Sequence, residues 1–231
     1  MTSLSFRVRK FSTDADAVAA TEFAIVVPFM LLLYVGGVEL GNGMAINVKV
    51  TATTHSVADM VSQNTQISTA QMQTILGAAT AIVAPYPTTD SSGNSLITVT
   101  VSEISSDASG NRTLQWSQSY NGTSFGPGRT SLTNPPLAVP ASFNGTVGNA
   151  NNPNNQNDNV SFIVGEVSYA YTPNLGYTIS GTVSLQDAYW LFPRCSTNSP
   201  ANSTGPAYYD VKYTTSTTTC TCIQHLQQKT C

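Results

Sequence analysis

From Phe23 to Val38 the chain reads FAIVVPFMLLLYVGGV, with no charged side chain, and Glu22 and Glu39 bracket the run. A helix rises ~1.5 Å per residue, so the two carboxylates would stand about 25 Å apart along its axis, close to the ~30 Å hydrocarbon thickness of a bilayer. Each can then sit near a different interface. A carboxylate at the bilayer centre would cost about 2.5–3.5 kcal/mol. The spacing predicts one transmembrane helix near Phe23–Gly43.

Arg7, Arg9 and Lys10 precede this run, and the next basic residue is Lys49. The positive-inside rule therefore puts the N-terminus in the cytoplasm and the chain from Lys49 onward across the membrane. A secretory signal would have an apolar region of only about 7–15 residues ending in a small-residue cleavage site. Here the run is longer and passes into GVELGNGMAINVKV without an A-x-A site, so a retained anchor is expected. Pro28 removes one helix hydrogen bond, which membrane helices tolerate when neighbouring helices compensate. Gly37 and Gly41 have the G-x-x-x-G spacing that permits close helix approach, although glycines are common in membrane helices in any case.

Beyond the membrane segment the helical period continues through Ile46, Val50, Val57, Met60 and Val61. Ser62-Gln-Asn-Thr reads as a break. Ser68 and Gln71 have capping-box spacing, and Met72, Ile75, Leu76, Ala79, Ile82 and Val83 form one apolar face that Pro85 should end. The period then changes to two. Leu96–Val101 alternates as a strand should, Arg112–Ser119 can pair with it, and Val160–Tyr171 and Tyr177–Leu185 are further strand candidates. Helices followed by mainly antiparallel strands argue for an α+β fold. The expected organisation is a membrane helix over 18–44, juxtamembrane helices over 45–85 and a β-rich domain over 86–231. Asn121–Asn159, rich in Gly, Asn and Pro, reads as a long loop, and NANNPNNQNDN within it as mobile.

Only 9% of residues are charged and the net charge is -3, against about 25% charged residues in ordinary domains. No basic stripe with interleaved aromatics follows the first ten residues, so a nucleic-acid partner is not expected. The four cysteines, Cys195, Cys220, Cys222 and Cys231, cluster at the C-terminal end. Clustering on the far side of a membrane predicts local disulfides in an oxidising compartment. Cys220 and Cys222 are too close to bond each other without strain, so Cys195 is expected to join one and Cys231 the other. Cys220, Cys222 and His225 give only a weak zinc signal, lacking a second spaced pair.

No catalytic constellation emerges. His55 and Asp59 could hydrogen-bond on one helix face, but no nucleophile stands beside them in sequence, and a surface pair is the default reading. No phosphate loop, nucleotide fingerprint or metalloprotease motif occurs. A non-enzymatic protein without cofactor or bound metal is expected.

AVAATEFAIVVPFMLLLYVGGVELG (Ala17–Gly41) resembles the N-terminus of TadE-like proteins, the minor pseudopilins of the Tad (tight adherence) pilus machine. Glu22, Phe23, Pro28 and Glu39 match that pattern. GEVSYAYTP (Gly165–Pro173) and LQDAYWLFPR (Leu185–Arg194) are similar to the family's closing V-x-Y-x-Y strand and terminal Pro-Arg. Thr88–Val160 carries no resemblance. The resemblance implies a pseudopilin-like architecture and a cytoplasmic leader over 1–17. It also implies cleavage between Ala17 and Val18 by a prepilin peptidase, with Ala17 standing where glycine is usual. Implied partners are the inner membrane, other pseudopilins, pilin and pilus platform proteins, with the C-terminal domain in the periplasm. Once Val18 is the first residue, its ammonium lies four residues before Glu22 on one helix face, so the two can pair within a chain or between neighbours. A membrane-tethered, adhesin-like binding domain independent of a pilus is the competing expectation.

Overall fold

The structure is a computed structural model, and it describes residues 15–64, 66–106, 112–133, 136–140, 160–173, 181–197, 211–213, 220–224 and 227–230. Contacts divide the chain into two compact units, Met1–Ala45 with Thr172–Val183, and Ile46–Tyr171 with Ser184–Cys231.

Helix α1 runs from Ala15 to Ser62 with Pro28 inside it. Two threonines in its second half, of weak helix propensity, turn their hydroxyls back on the helix. Thr53 donates to the Lys49 carbonyl and Thr54 to the Val50 carbonyl, each at 2.8 Å. From Ile46 onward the expected face is buried, including Val50, Val57 and Val61. The break expected at Ser62 is present, where Asn64 Nδ2 donates to the Met60 carbonyl at 2.6 Å.

After the two-residue strand β1 (Gln66–Ile67), helix α2 spans Thr69–Ile82. Its capping box forms as expected. The Gln71 N–H donates to Ser68 Oγ, and the Ser68 N–H donates to Gln71 Oε1 at 2.9 Å. Met72, Leu76 and Ala79 are buried, and the helix ends with Val83 as its cap, ahead of Pro85.

A five-stranded sheet follows, in the order β4-β3-β2-β5-β6. Its strands are β2 (Ile97–Ser106), β3 (Arg112–Tyr120), β4 (Phe125–Pro127), β5 (Val160–Tyr171) and β6 (Val183–Leu191). Strand β2 pairs antiparallel with both β3 and β5. The architecture is α+β. On one face Ile97, Val99, Val101, Ile163 and Val167 pack with the buried residues of α1 and α2. On the other, Ile104, Phe162 and Val164 form a second cluster with Leu132, Leu137, Val139 and Trp190. Residues 129–133 and 136–140 thus lie as a strap over the sheet face opposite α2 and the buried turns of α1 from Ile46 onward. Apolar residues on both faces explain why β5 reads as a near-continuous hydrophobic run.

Two features differ from expectation. The strand expected over Tyr177–Leu185 runs instead from Val183 to Leu191, residues 177–180 lying outside those described. Gly181 holds a positive φ of 93° just before it, a turn conformation that sets the strand start. Strand β6 is also at the sheet edge, where Gln186 and Asp187 are tolerated and blur the alternation. Within the interval expected as loop, β4 pairs with β3. It is too short to show a period, and Pro127 costs an edge strand no ladder bond.

Smaller sheets complete the described fold. Strand β8 (Lys212–Tyr213) pairs parallel with β1. Strands β7 (Cys195–Thr197), β9 (Cys220–Gln224) and β10 (Gln227–Thr230) form an antiparallel set in the order β10-β9-β7.

Candidate functional site

The first half of α1 presents apolar side chains to its surroundings. Phe23 and Phe29 are each 67% exposed, Leu33 73% and Tyr34 70%. A contiguous apolar surface of this kind marks a membrane or protein interaction site. The helix is long and apolar enough to cross a membrane, and 6% of its most apolar window is buried. It fits a single-pass membrane anchor.

The structure places the predicted functional residues of this helix as follows. Ala17 is helical and its side chain lies outside those described, whereas Val18 is exposed. The Val18 carbonyl accepts from Thr21 Oγ1 at 2.8 Å. Glu22 is exposed one helical turn beyond Val18, next to exposed Phe23. Pro28 is exposed. Beyond the helix's own neighbouring backbone, no atom lies within 4 Å of where a Cβ would project from Gly37 or Gly41, so both are open to close approach. Glu39, the second bracketing carboxylate, is buried and engaged in a polar interaction.

Where α1 joins the sheet domain, the structure brings together residues that sequence spacing did not. Asp59 turns to the Arg194 guanidinium and to Gln63 Nε2 rather than to His55. The His55 ring stacks on Tyr189 of β6, with centroids 3.7 Å apart and planes 18° from parallel. The Arg194 N–H donates to the Ser62 carbonyl at 2.8 Å, satisfying one of the last orphan carbonyls of the helix. The signal that could have found this contact is the Pro-Arg pair that closes LQDAYWLFPR.

The other closing motif is also built in. Val167 and Tyr169 are buried on the helix-facing side of β5, with Tyr171 packed against the same core. Tyr169 Oη donates to the Pro87 carbonyl at 2.8 Å. Burial pushes the Tyr169 phenol above its ordinary pKa, and the neighbouring Tyr86 adds to the shift.

The cysteines can be placed only by backbone register, which sets Cys195 opposite Cys222 and Thr197 opposite Cys220. Their side chains, and the whole of His225 and Cys231, lie outside the described residues. Among the described residues no group of three or more His, Cys, Asp or Glu could hold a metal ion.

An apolar N-terminal helix whose later turns enter the core of an antiparallel sheet defines a helix-anchored α+β protein. The family model described as TadE-like protein matches residues 17–59, and the chain carries a TadE-like domain over that span. The match opens at the candidate cleavage residue and ends at Asp59, the partner of Arg194. It covers a minority of the chain, and Gly165–Arg194 lies beyond it. No curated protein and no solved structure matches the chain.

Proposed function

We propose that this protein is a membrane-anchored, pseudopilin-like component of a Tad/Flp-type pilus assembly system, structural rather than catalytic. The observation that carries the reading is the coincidence of the TadE-like match with the exposed apolar helix. In this reading the helix sits in the bacterial inner membrane and the domain stands in the periplasm. The basic residues Arg7, Arg9 and Lys10 hold the N-terminus in the cytoplasm. The exposed turns of α1 pack against pilin, other pseudopilins or platform helices, with Gly37 and Gly41 permitting close approach.

A prepilin peptidase cuts between Ala17 and Val18. Both residues flanking that bond are helical. The freed Val18 ammonium then lies one turn from Glu22 and can pair with it or with the Glu22 of a neighbour.

N-terminal sequencing of protein extracted from membranes of cells with active peptidase tests this. A mature chain beginning at Val18 is expected. A chain beginning at Met1 would leave a tethered domain, the competing adhesin-like reading.

A further inference from the structure

We infer that the strap-covered face of the sheet carries a binding cleft for a neutral saccharide. The inference does not rest on the pilus reading. Between the strap and strands β2, β5 and β6 lies a cavity of about 810 Å³, within the ~300–1,000 Å³ usual for small-molecule sites. It lies on the sheet face opposite the cluster that α2 and the turns of α1 from Ile46 onward bury.

The lining has the chemistry of a sugar site. Thr98 and Thr100 of β2 stand opposite Ser168 and Glu166 of β5 in register, so hydroxyls and a carboxylate form two rows across the cleft. The Thr98, Thr100 and Ser168 hydroxyls have no hydrogen-bond partner among the described residues, and each can both donate and accept, as sugar hydroxyls do. Gln186 of β6 adds an amide. Trp190 supplies an aromatic wall, and its Nε1–H is buried without an acceptor among the described residues. An unpaired buried donor of this kind is costly until something accepts from it. Leu137 of the strap also lines the cleft.

Charge disfavours an anionic ligand. The cleft's guanidinium, Arg129, is committed as a fork to Glu166, with Nη2 donating to Oε1 at 2.6 Å. The Arg129 side chain is 7% exposed. The cation is neutralised in place, leaving nothing to hold a phosphate or sulfate. The pair fixes the strap to β5, and the Arg129 N–H ties it to β3 by donating to Ser117 Oγ at 2.7 Å. What remains for a ligand is hydroxyl, amide, indole and the Asp187 carboxylate, whose Oδ1 accepts from the Ala188 N–H at 3.0 Å. These fit a pyranose with its C–H face on the ring and its hydroxyls along the strands.

The test uses the full chain in lipid nanodiscs, because sugar-headed detergents would compete. The probes are neutral hexasaccharides of β-1,4-linked glucose, β-1,4-linked N-acetylglucosamine, α-1,4-linked glucose and α-1,6-linked mannose. Binding is read by calorimetry and tryptophan fluorescence. At least one probe should bind with a Kd of about 1 mM or tighter and perturb the fluorescence. Gln186→Ala and Thr100→Val alter side chains outside the packed core, so an unchanged Tm should accompany their effect. Each should weaken binding about tenfold, the equivalent of one ~1.4 kcal/mol hydrogen bond. Failure of all four probes to bind at about 10 mM would overturn the inference. So would binding that both variants leave unchanged, or a preference for an extended Ser/Thr-rich peptide over every saccharide.

Discussion

Gly165 on β5 and Ala58 on α1 meet without room for another carbon. A Cβ at position 165 would lie 2.8 Å from the Thr54 carbonyl oxygen and 3.2 Å from Ala58 Cβ. The first of these neighbours is backbone, so a side chain cannot swing aside to relieve it. Gly165 also faces Val101 near the middle of the β2–β5 ladder, where the strand has little freedom to move. Gly165→Ala should therefore destabilise the domain by about 1–3 kcal/mol, the usual range for overpacking. Thermal or denaturant unfolding of the full chain in nanodiscs measures it. An unchanged midpoint would mean that helix and sheet separate freely here.

The Arg194–Asp59 pair invites the opposite expectation. The two side chains are 58% and 41% exposed, and exposed ion pairs are worth about 0–1 kcal/mol. Arg194→Ala leaves the bond from the residue-194 N–H to the Ser62 carbonyl in place. A double-mutant cycle with Asp59→Asn should return a coupling below about 1 kcal/mol, smaller still in high salt. A larger, salt-insensitive coupling would assign the pair a role in fixing the helix end.

Tyr169 predicts an alkaline limb in the stability profile. Its folded pKa is raised above the ordinary tyrosine value because burial disfavours the phenolate. The folded state therefore holds the proton longer than the unfolded one. Its stabilising contribution is whole below pH ~10 and is lost as pH rises through the folded pKa. Tyr169→Phe should cost about 1 kcal/mol at neutral pH, through the lost bond to Pro87, and should flatten that limb. Urea unfolding at a series of alkaline pH values distinguishes the two chains.

The register of β7 on β9 narrows the cysteine pairing. Directly opposed residues in an antiparallel ladder have Cα atoms about 4.5–5.5 Å apart, inside the range a disulfide requires. Cys195 should bond Cys222, leaving Cys220 for Cys231. Protein from an oxidising compartment should show two disulfides and no free thiol by non-reducing mass analysis. In Cys195→Ala, Cys222 should become the alkylated residue. Four alkylatable thiols in the parent chain would refute both pairs and revive the metal reading of Cys220, Cys222 and His225.

Glu22→Gln preserves shape and removes charge. If the Val18 ammonium and the Glu22 carboxylate pair at the membrane boundary, the interaction is worth about 1–2 kcal/mol. Pilus output should then fall about tenfold while processing continues. Normal output from a processed Glu22→Gln chain would retain the cleavage and discard the pairing.

The sequence was most legible where one physical signal dominated. The uncharged run Phe23–Val38, the Ser68–Gln71 capping box and the alternation from Ile97 onward each correspond to an element in the structure. Strand β6 was misplaced because Gln186 and Asp187 at an open edge obscure its period and its start depends on a positive φ at Gly181. The strap could not be read at all. Leu132, Leu137 and Val139 lack periodicity, and their apolar character makes sense only against Phe162 and Val164. Arg129 with Glu166, and Asp59 with Arg194, are joined by topology across long stretches of chain, which no spacing rule reaches. The apolar helix was legible because an uncharged run of that length is a property of the sequence itself.

The order of strands in the sheet has a consequence for how the domain comes into being. Strand β2 first meets β3, its neighbour in sequence, but its other edge must wait for β5, beyond β4 and the strap. Closing a loop costs free energy that grows as the logarithm of its length, about 0.6 kcal/mol per doubling, and the cost falls before any contact repays it. Until Val160–Tyr171 arrives, Val99 and Val101 border an open edge able to pair with any passing strand. A domain that emerges in sequence order, residue 46 before residue 160, therefore presents a half-built sheet. Its window for misassociation closes only when β5 has emerged and paired.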